Sequence, residues 1–242
     1  MRKNKLVAMM VVFNEGNRFL TRVLNHLSLW VDEIVILDDG STDHTRKICN
    51  QYPKVFFVEN DAHTFIQHEA RLREKLWNIT ISRNPDWILA IDADEIFTDR
   101  ILDAIDSYLE QKTYDAFAFR LFDFWKSENY YRVDGAWNPW IKFSAFLVRY
   151  HPEWKATWPD YVIHSGRWPL EYRFVKNTFQ SDIRVKHFGW ARPEDHYRKY
   201  IFYCQKDLEQ YGKIQPHTKS IMASNDSIIL EKWFERKWMV GF

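Results

Sequence analysis

The run IDADEIF at residues 91–97 places three carboxylates, Asp92, Asp94 and Glu95, directly after an apolar segment. Unpaired carboxylates beside a buried strand are costly unless a cation or hydrogen-bond donors compensate them. Mg²⁺ and Mn²⁺ prefer carboxylate oxygens and complete their coordination with water and with phosphate oxygens of a substrate. The run therefore predicts a divalent-cation site for a pyrophosphate-bearing substrate. The alternative is that these acids cap the next helix, with Asp94 or Asp99 at its N-terminus.

A second acidic run, LDDGSTD at residues 37–43, ends another apolar segment. A carboxylate of Asp38 or Asp39 at this point can accept a hydrogen bond from the imide of a nucleotide base. The alternative, which is compatible with the first interpretation, is a strand-to-helix turn. In that turn the glycine permits an unusual backbone angle, Thr42 or Asp43 caps the helix, and Asp38 faces solvent.

Apolar periodicity predicts the elements that must position these turns. Strand patterns cover residues 6–13, 33–37, 55–58 and 87–91, and helical patterns cover 18–29, a segment that ends at Cys49, and 64–82. This alternation is typical of a mainly parallel sheet covered by helices. Both acidic turns then follow strands, at the carboxyl ends where open α/β sheets bind ligands.

The second half of the chain has a different residue pattern, with more aromatic residues in its strand-like segments. Aromatic, strand-like segments occur at 116–125 and 141–150, a helical pattern covers 193–211, and a last helix is suggested at about 227–238. No internal repeat, low-complexity tract or linker divides the chain, so we expect one domain.

The bulk composition excludes several classes of protein. The 34 Lys and Arg residues nearly balance the 33 Asp and Glu residues, so no global positive field exists to hold nucleic acid. The apolar run at residues 6–13 is too short to span a bilayer, and any membrane contact would have to be peripheral. Cys49 and Cys204 match no metal-ligand, redox or disulfide pattern, which favours a reducing cytoplasm.

Four motifs in this order resemble the family 2 glycosyltransferases, which are inverting enzymes with a GT-A fold. They are VVFNE at 11–15, LDDGSTD at 37–43, DWILAIDADE at 86–95 and KHFGW at 186–190. The similarity covers residues 5–100 well and is weaker near 187. It implies a GT-A-like α/β fold, with a mixed, mainly parallel sheet flanked by helices, in a single domain over residues 1–242. The nucleotide-sugar-binding half would be 1–112, and the acceptor-binding half, with C-terminal helices, would be 113–242.

The resemblance also implies roles for particular residues. The backbone around Val11 and Phe13 and the carboxylate of Asp39 would hold the nucleotide base, and Asp92 and Asp94 would form the DxD element at the ribose and the metal. A histidine of the KHFGW motif would be a further ligand of Mn²⁺ or Mg²⁺, although a lone histidine between aromatic residues is more often a packed one. The predicted nucleotide-binding positions are Val11, Phe13, Glu15, Asp39, Arg71, Asp92 and Ala93, and the predicted metal ligands are Asp94 and His187.

Arg71, Arg73 and Lys75 lie on a predicted helix before the DxD strand and offer cationic groups to a diphosphate. The alternative is a solvated helix face with Glu69 and Glu74 as partners, which we favour for two of the three cations. Arg71 is the cation that we assign to the diphosphate.

Inversion by a single displacement requires a general base within hydrogen-bond reach of the acceptor hydroxyl. Related sequences often have a His-Glu pair where this chain has His164-Ser165, so the expected carboxylate is absent. Asp160, His164 and Asp134 are the remaining candidates. Asp160 is equally suited to a turn after Pro159, and His164 to a structural hydrogen bond.

Aromatic residues make up 17% of the chain, and sugar rings stack on aromatic rings. Four tryptophans lie in loops that would line an acceptor groove, although at least half of them are expected to pack on the sheet: Trp137, Trp140, Trp158 and Trp168. The tail EKWFERKW at 231–238 suits a peripheral membrane contact, an oligomer interface or a docked helix.

The sequence thus predicts a divalent-metal-dependent, inverting transfer of a sugar from a UDP- or dTDP-type donor to a hydroxyl of a glycan or lipid-linked acceptor. One alternative is a catalytically silent nucleotide-sugar-binding scaffold, which explains the missing carboxylate but not the intact DxD. Another is a nucleotidyltransferase, although no Gly-rich, cationic loop follows the first strand to hold a triphosphate. A cytoplasmic location, a peripheral membrane contact and a homo-oligomer are further expectations.

Overall fold

A computed structural model of the chain describes residues 3–60, 64–135, 137–159 and 165–235. The strands are β1 (Leu6–Val12), β2 (Glu33–Asp38), β3 (Val55–Glu59), β4 (Trp87–Ala90), β5 (Glu95–Phe97), β6 (Ala116–Trp125), β7 (Tyr130–Arg132), β8 (Phe143–Arg149), β9 (Thr178–Trp190) and β10 (Leu230–Lys232). The α-helices are α1 (Leu20–Leu27), α2 (Thr45–Cys49), α3 (Phe65–Ile81), α4 (Arg100–Glu110), α5 (Leu170–Arg173), α6 (Pro193–Tyr211) and α7 (Pro216–Lys219). Single 3₁₀ turns cover Pro139–Ile141, Ser220–Met222 and Asn225–Ser227.

The chain forms two compact units, each made of two segments. The first unit consists of Met1–Phe119 and Phe143–Ile183, and the second consists of Arg120–Lys142 and Arg184–Phe242. Strands β6 and β9 each contribute residues to both units.

The sheet of the first unit has the order β6-β8-β4-β1-β2-β3. Strand β1 pairs in parallel with β2 and β4, and β2 pairs in parallel with β3, whereas β8 runs antiparallel to β4. Nearly all residues of β1, β2 and β4 are buried, as expected for strands with helices on both faces. The mixed, mainly parallel sheet confirms the predicted fold class, and each strand predicted in the first half is present.

The parallel strands β1, β2 and β4 end at Val12, Asp38 and Ala90, so the loops that follow them emerge at one edge of the sheet. Those loops carry the three motifs that the sequence analysis singled out in the first half. A core on one side of the sheet fixes their spacing, because Leu72, Leu76 and Trp77 of α3 pack there.

The second unit is rich in tryptophan. Trp125, Trp137 and Trp190 form its buried cluster together with Ile221 and Ile228. Helix α6 has the predicted bounds, but its exposed face includes Tyr197, Ile201 and Leu208, whereas Asp195, His196, Lys206 and Asp207 are buried.

The predicted last helix at 227–238 is wrong over the residues that the structure describes. Leu230–Lys232 forms strand β10, which pairs antiparallel with β7. The Trp233 ring then packs between Phe122 and Phe124, with centroid distances of 5.2 and 5.3 Å. Pairing with the edge strand satisfies the backbone of this short aromatic segment better than an isolated helix would.

Candidate functional site

The loops after β1 and β2 are joined by hydrogen bonds through side chains. Asn14, in the left-handed region at φ 52°, accepts a hydrogen bond from the Thr42 amide at 2.8 Å, and its own amide donates to Ser41 Oγ at 2.8 Å. The Gly16 amide donates to Asp43 Oδ2 at 2.9 Å, and a Cβ at Gly16 would lie only 2.9 Å from that oxygen. These contacts fix the VVFNE and LDDGSTD motifs relative to each other.

Asp39 is fully buried and caps the first turn of α3, which a non-helical residue, His68, separates from the rest of the helix. Its Oδ1 accepts hydrogen bonds from the Thr64 amide and from Asn60 Nδ2, both at 2.9 Å, and its Oδ2 accepts one from the Phe65 amide at 2.9 Å. A carboxylate suits this position because the first amides of a helix have no partner within the helix. This capping role is not evident from the sequence, and a contact between Asp39 and a nucleotide base stays a prediction.

Asp38 is buried, so the alternative interpretation of this turn is wrong in placing Asp38 toward solvent. Its carboxylate accepts hydrogen bonds from the Ser41 amide and from Ser41 Oγ, the latter at 2.5 Å. The pKa of Asp38 is raised, mainly because burial disfavours the charged form, while the Ser41 hydrogen bonds act in the opposite direction. Helix α2 begins after His44 rather than directly after Thr42 or Asp43, and Asp43 Oδ1 accepts a hydrogen bond from the Thr45 amide at 2.9 Å.

The DxD motif lies in a turn that Glu95 closes from both sides. The Asp92 amide donates to Glu95 Oε2 at 2.9 Å, and the Glu95 amide donates to the Asp92 carbonyl oxygen at 3.1 Å. Glu95 is 1% exposed and Asp94 8% exposed, whereas the Asp92 side chain is 36% exposed. Asp99 stands at the start of α4 without a capping hydrogen bond from its side chain, so the interpretation of these acids as helix caps is not supported.

Three arginines, distant from one another in the sequence, converge on this turn. Arg18 Nη2 lies 3.9 Å from Asp94 Oδ2, and Arg18 Nη1 donates to Glu15 Oε1 at 2.6 Å. Arg73 Nη1 lies 3.4 Å from Asp92 Oδ1, and its Nε lies 3.4 Å from Glu69 Oε1.

The third arginine, Arg167, was not identified from the sequence, since nothing in the spacing around it indicates a role. Its Nη1 and Nη2 each donate to one oxygen of Glu95 at 2.9 Å, and Nη2 lies 3.7 Å from Asp92 Oδ2. The pKa of Arg167 is raised: burial, the largest single influence, acts to lower it, but Coulombic attraction to Glu95, Asp92 and Asp94 outweighs burial. Arg167 therefore stays protonated beside the DxD turn.

Of the cations on α3, the structure brings Arg73 rather than Arg71 to the DxD turn. Arg71 is exposed, next to Glu74 and Lys75, along a surface groove of about 490 Å³ on α3. The two arginines point to different sides because residues two positions apart do not share a helix face. A contact between Arg71 and a diphosphate stays a prediction.

The donor chemistry around the turn fits a hard divalent cation. The ion pairs described around the turn join three guanidiniums to five carboxylates, namely Glu15, Glu69, Asp92, Asp94 and Glu95. No three His, Cys, Asp or Glu side chains converge as metal ligands within the described part of the chain. Mg²⁺ is usually bound by one or two carboxylates, and water and substrate oxygens complete its coordination. Binding of such a cation at this turn would therefore require a substrate phosphate as a further ligand.

His187 lies in the second unit, where its ring is oriented by a buried carboxylate. Its Nδ1 is hydrogen-bonded to Asp123 Oδ1, and Trp137 Nε1 donates to Asp123 Oδ2. A carboxylate on one ring nitrogen fixes the tautomer and directs the lone pair of the other, which is the usual environment of a metal-binding histidine. Asp123 was not identified from the sequence.

Of the three candidates for the catalytic base, only Asp134 lies among the residues that the structure describes. Asp160 and His164 lie outside the described residues. The Asp134 carboxylate accepts a hydrogen bond from Arg132 Nε at 2.5 Å, and Arg132 is buried beneath Trp125 with its guanidinium carbon 4.4 Å from the ring centroid. Asp134 thus compensates a buried cation, and its role as a base stays a prediction.

The predicted acceptor tryptophans divide into two groups. Trp137 and Trp168 are buried in the cores of the second and first units, respectively, as expected for packing residues. Trp140 and Trp158 are half-buried. In the tail, Trp233 is packed and Phe234 is 67% exposed, while Trp238 lies outside the described residues. No helix in the described ranges is both long and apolar enough to cross a membrane.

Comparison with known sequences identifies related proteins. The model of a family described as glycosyl transferase family 2 matches residues 8–162. An uncharacterized glycosyltransferase of Rickettsia bellii is 27% identical over 250 residues, which covers 98% of this chain and 79% of the relative. An uncharacterized protein of Mycobacterium tuberculosis is 26% identical over 196 residues, covering 77% of this chain and 47% of the relative. The chain thus spans about half the length of the mycobacterial relative.

Solved structures share the fold at low sequence identity. S. aureus TarS superposes with a TM-score of 0.55 at 15% identity, covering 90% of this chain and 42% of TarS. Residues 1–349 of TarS, solved in complex with UDP, give a TM-score of 0.55 at 16% identity and cover 90% of this chain and 70% of that one.

Proposed function

The chain belongs to glycosyl transferase family 2, and from that premise we propose that it transfers a sugar from a nucleoside diphosphate sugar to a hydroxyl group, with inversion and with the help of a divalent cation. The observation that carries the proposal is the Asp92–Glu95 turn. It lies at the carboxyl edge of parallel strands, exposes Asp92, and belongs to a network rich in carboxylates. Parallel α/β sheets bind their ligands at this edge.

The donor in this proposal is of the UDP or dTDP type. Residues 1–349 of S. aureus TarS were solved in complex with UDP and with UDP-GlcNAc, which supports a uridine nucleotide for this chain as well. Val11, Phe13, Glu15 and Asp39 would surround the nucleotide, because the joined loops after β1 and β2 bring them to the same edge as the DxD turn. Ala93 would lie against it within that turn.

In the proposed mechanism, Asp92 would orient the ribose and Asp94 would hold the cation, which would supply positive charge to the departing diphosphate. Arg18 and Arg73 add positive charge at the same edge. The acceptor oxygen forms its bond to the anomeric carbon as the bond to the β-phosphate breaks, and a base takes the hydroxyl proton. The candidates for that base remain Asp160, His164 and Asp134.

His187 is proposed as a further ligand of the cation, on the strength of its own surroundings in the second unit. In metal-binding histidines the N–H of the second ring nitrogen usually donates a hydrogen bond to a carboxylate, and Asp123 supplies that acceptor for His187. A glycan or a lipid-linked saccharide remains the proposed acceptor, and the cytoplasmic location, peripheral membrane contact and homo-oligomer remain predictions.

A catalytically silent nucleotide-sugar-binding scaffold is the second candidate. One observation in its favour is that Ser165 stands where a carboxylate was expected, and its amide donates a hydrogen bond to Glu69 at 3.2 Å. Another is that Asp134, a candidate base, pairs with Arg132. Release of nucleoside diphosphate from a donor sugar would rule out the scaffold, and release of pyrophosphate would indicate a nucleotidyltransferase instead.

Calorimetric titration tests the proposal directly. UDP, dTDP, GDP and ADP are titrated into the wild type with Mn²⁺ or with a chelator, and the same is done for Asp94→Ala. Asp99→Ala is the matched control, because Asp99 is an exposed carboxylate five positions after Asp94 in the sequence. Metal-dependent binding of UDP or dTDP that only Asp94→Ala abolishes supports the transferase. No binding of any of the four nucleotides by the wild type contradicts it.

A further inference from the structure

We propose that Arg167 is a positioning residue that acts through Glu95 to hold the turn presenting Asp92 and Asp94, an inference that rests on the proposed function. Arg167 lies 72 residues after Glu95 in the sequence, and the fold alone brings the two together. Three sets of contacts support this role: those of Arg167 with Glu95, of Glu95 with Asp92, and of Arg167 with the surrounding sheet.

Arg167 contacts the residues on both sides of the turn. Its two terminal nitrogens donate to the two oxygens of Glu95, each at 2.9 Å, in the bidentate geometry that suits a guanidinium and a carboxylate. The same Nη1 donates to the carbonyl oxygen of Ala90 at 3.1 Å, at the end of β4. One side chain therefore ties the last residue of the strand to the residue that closes the turn.

Glu95 transmits this restraint to the DxD motif. Its carboxylate accepts the Asp92 amide, and its own amide donates to the Asp92 carbonyl oxygen. Glu95 is 1% exposed, so its carboxylate faces the protein rather than a ligand. Without Arg167 a buried negative charge would lose its main partner, and the turn would have to rearrange to hydrate it.

The sheet holds the guanidinium in place. The guanidinium carbon lies 4.3 Å from the centroid of the Phe146 ring, which β8 contributes, and Phe146 is fully buried. A planar group can stack on this ring and donate two parallel hydrogen bonds at once, whereas an ammonium group cannot do both. Lysine at position 167 is therefore expected to restore the charge but only part of the restraint.

A direct contact of Arg167 with the diphosphate is the competing explanation, because Nη2 also lies 3.7 Å from Asp92 Oδ2. The two explanations differ in a double-mutant cycle. If Arg167 acts through Glu95, removing both partners costs no more than removing one, whereas a direct contact adds a separate loss in the double variant.

The test measures Mn²⁺-dependent UDP binding by calorimetry for Arg167→Met, Glu95→Gln, the double variant and Arg167→Lys. Arg100→Met is the matched control, because Arg100 makes an ion pair with the exposed Asp182 in the same unit. We expect each single variant to weaken binding about 10- to 100-fold, as loss of a residue that supports metal ligands does elsewhere. The affinity of the double variant should lie within about threefold of that of the weaker-binding single variant. The affinity of Arg167→Lys should lie between those of the wild type and Arg167→Met, and Arg100→Met should bind UDP as tightly as the wild type. A double-variant loss equal to the product of the two single losses, or wild-type binding by Arg167→Met, overturns the proposal.

Hydrogen exchange in the ligand-free protein gives a second readout that does not depend on nucleotide binding. The Asp92 amide donates to Glu95 Oε2, so its exchange should accelerate in Arg167→Met and Glu95→Gln and stay unchanged in Arg100→Met. If the wild type binds no nucleotide, the proposed function fails while the exchange still decides the role of Arg167. Unchanged exchange at Asp92 in both variants overturns that role, and so does accelerated exchange spread evenly over the whole first unit.

Discussion

Replacing Asp39 with asparagine changes one oxygen of a fully buried side chain into an amide nitrogen. In the wild type both oxygens accept backbone amides, those of Thr64 and Phe65, at the start of α3. In Asp39→Asn one oxygen can keep the Thr64 amide, but the new NH₂ group faces the Phe65 amide, and two donors then oppose each other. The variant also removes a negative charge from the N-terminus of the first turn of α3, which precedes the non-helical residue His68.

The expected loss of stability follows from these two effects. A buried donor left without its acceptor costs about 1–3 kcal/mol. Removing the charge at the helix N-terminus costs about 1 kcal/mol more. We therefore expect the free energy of unfolding to fall by about 2–4 kcal/mol, and the Tm to fall by roughly 5–15 °C for a chain of this length.

Urea unfolding and thermal melting of the nucleotide-free protein check this prediction. Asp99→Asn is the control, since Asp99 stands at the start of α4 without a capping hydrogen bond and its side chain is 93% exposed. The control should lower the free energy of unfolding by less than about 1 kcal/mol, because it removes only an exposed charge from the N-terminus of α4. An Asp39→Asn variant as stable as the wild type would refute the capping role. UDP titration of the folded variant then measures separately whether Asp39 also binds the base.

Three further predictions concern the edge of the sheet and the second unit. Because the pKa of Asp38 is raised, the folded protein binds the proton of this carboxyl more tightly than the unfolded chain does. The protonated carboxyl therefore contributes stability at low pH, and this contribution is lost as the pH rises from the ordinary pKa of 3.8 through the raised pKa. Asp38→Asn should flatten the unfolding free energy over that interval in pH-dependent urea titrations, and an unchanged slope would contradict it. Asp123→Asn should weaken Mn²⁺-dependent UDP binding about 10-fold, and His187→Ala should weaken it more, both measured by calorimetry; wild-type affinity in both would remove His187 from the metal site. Arg73→Ala should weaken that binding more than Arg71→Ala, because Arg73 contacts the DxD turn, and the reverse order would restore Arg71 as the diphosphate ligand.

Local patterns in the sequence predicted much of the fold. Strands β1, β2 and β4 were found because continuous apolar runs ended at acidic turns, and α6 was placed with its bounds at 193 and 211. The family was found from four short motifs in order, because the residues of each motif are neighbours in the sequence and their spacing can be read directly from it. The mixed, mainly parallel sheet is confirmed, and the family membership is confirmed over residues 8–162.

Tertiary structure alone decided which distant side chains meet. Glu95 pairs with Arg167 across 72 residues and His187 with Asp123 across 64, and neither pair has a spacing that periodicity can reveal. Asp39 was assigned to the nucleotide base by resemblance to a family motif, which stays a prediction. The sequence did not reveal its capping role, because the amides that it caps lie 25 and 26 residues away.

The C-terminal segment shows the same division. Residues 230–232 contain nothing that forbids a helix, and they form a strand because β7 offers unpaired backbone groups at the edge of its sheet. Sequence determines the elements whose stability comes from their own periodicity and capping. It does not determine buried ion pairs, caps supplied from another loop, or a strand that forms by pairing, because their free energy depends on a partner that only the folded chain brings near.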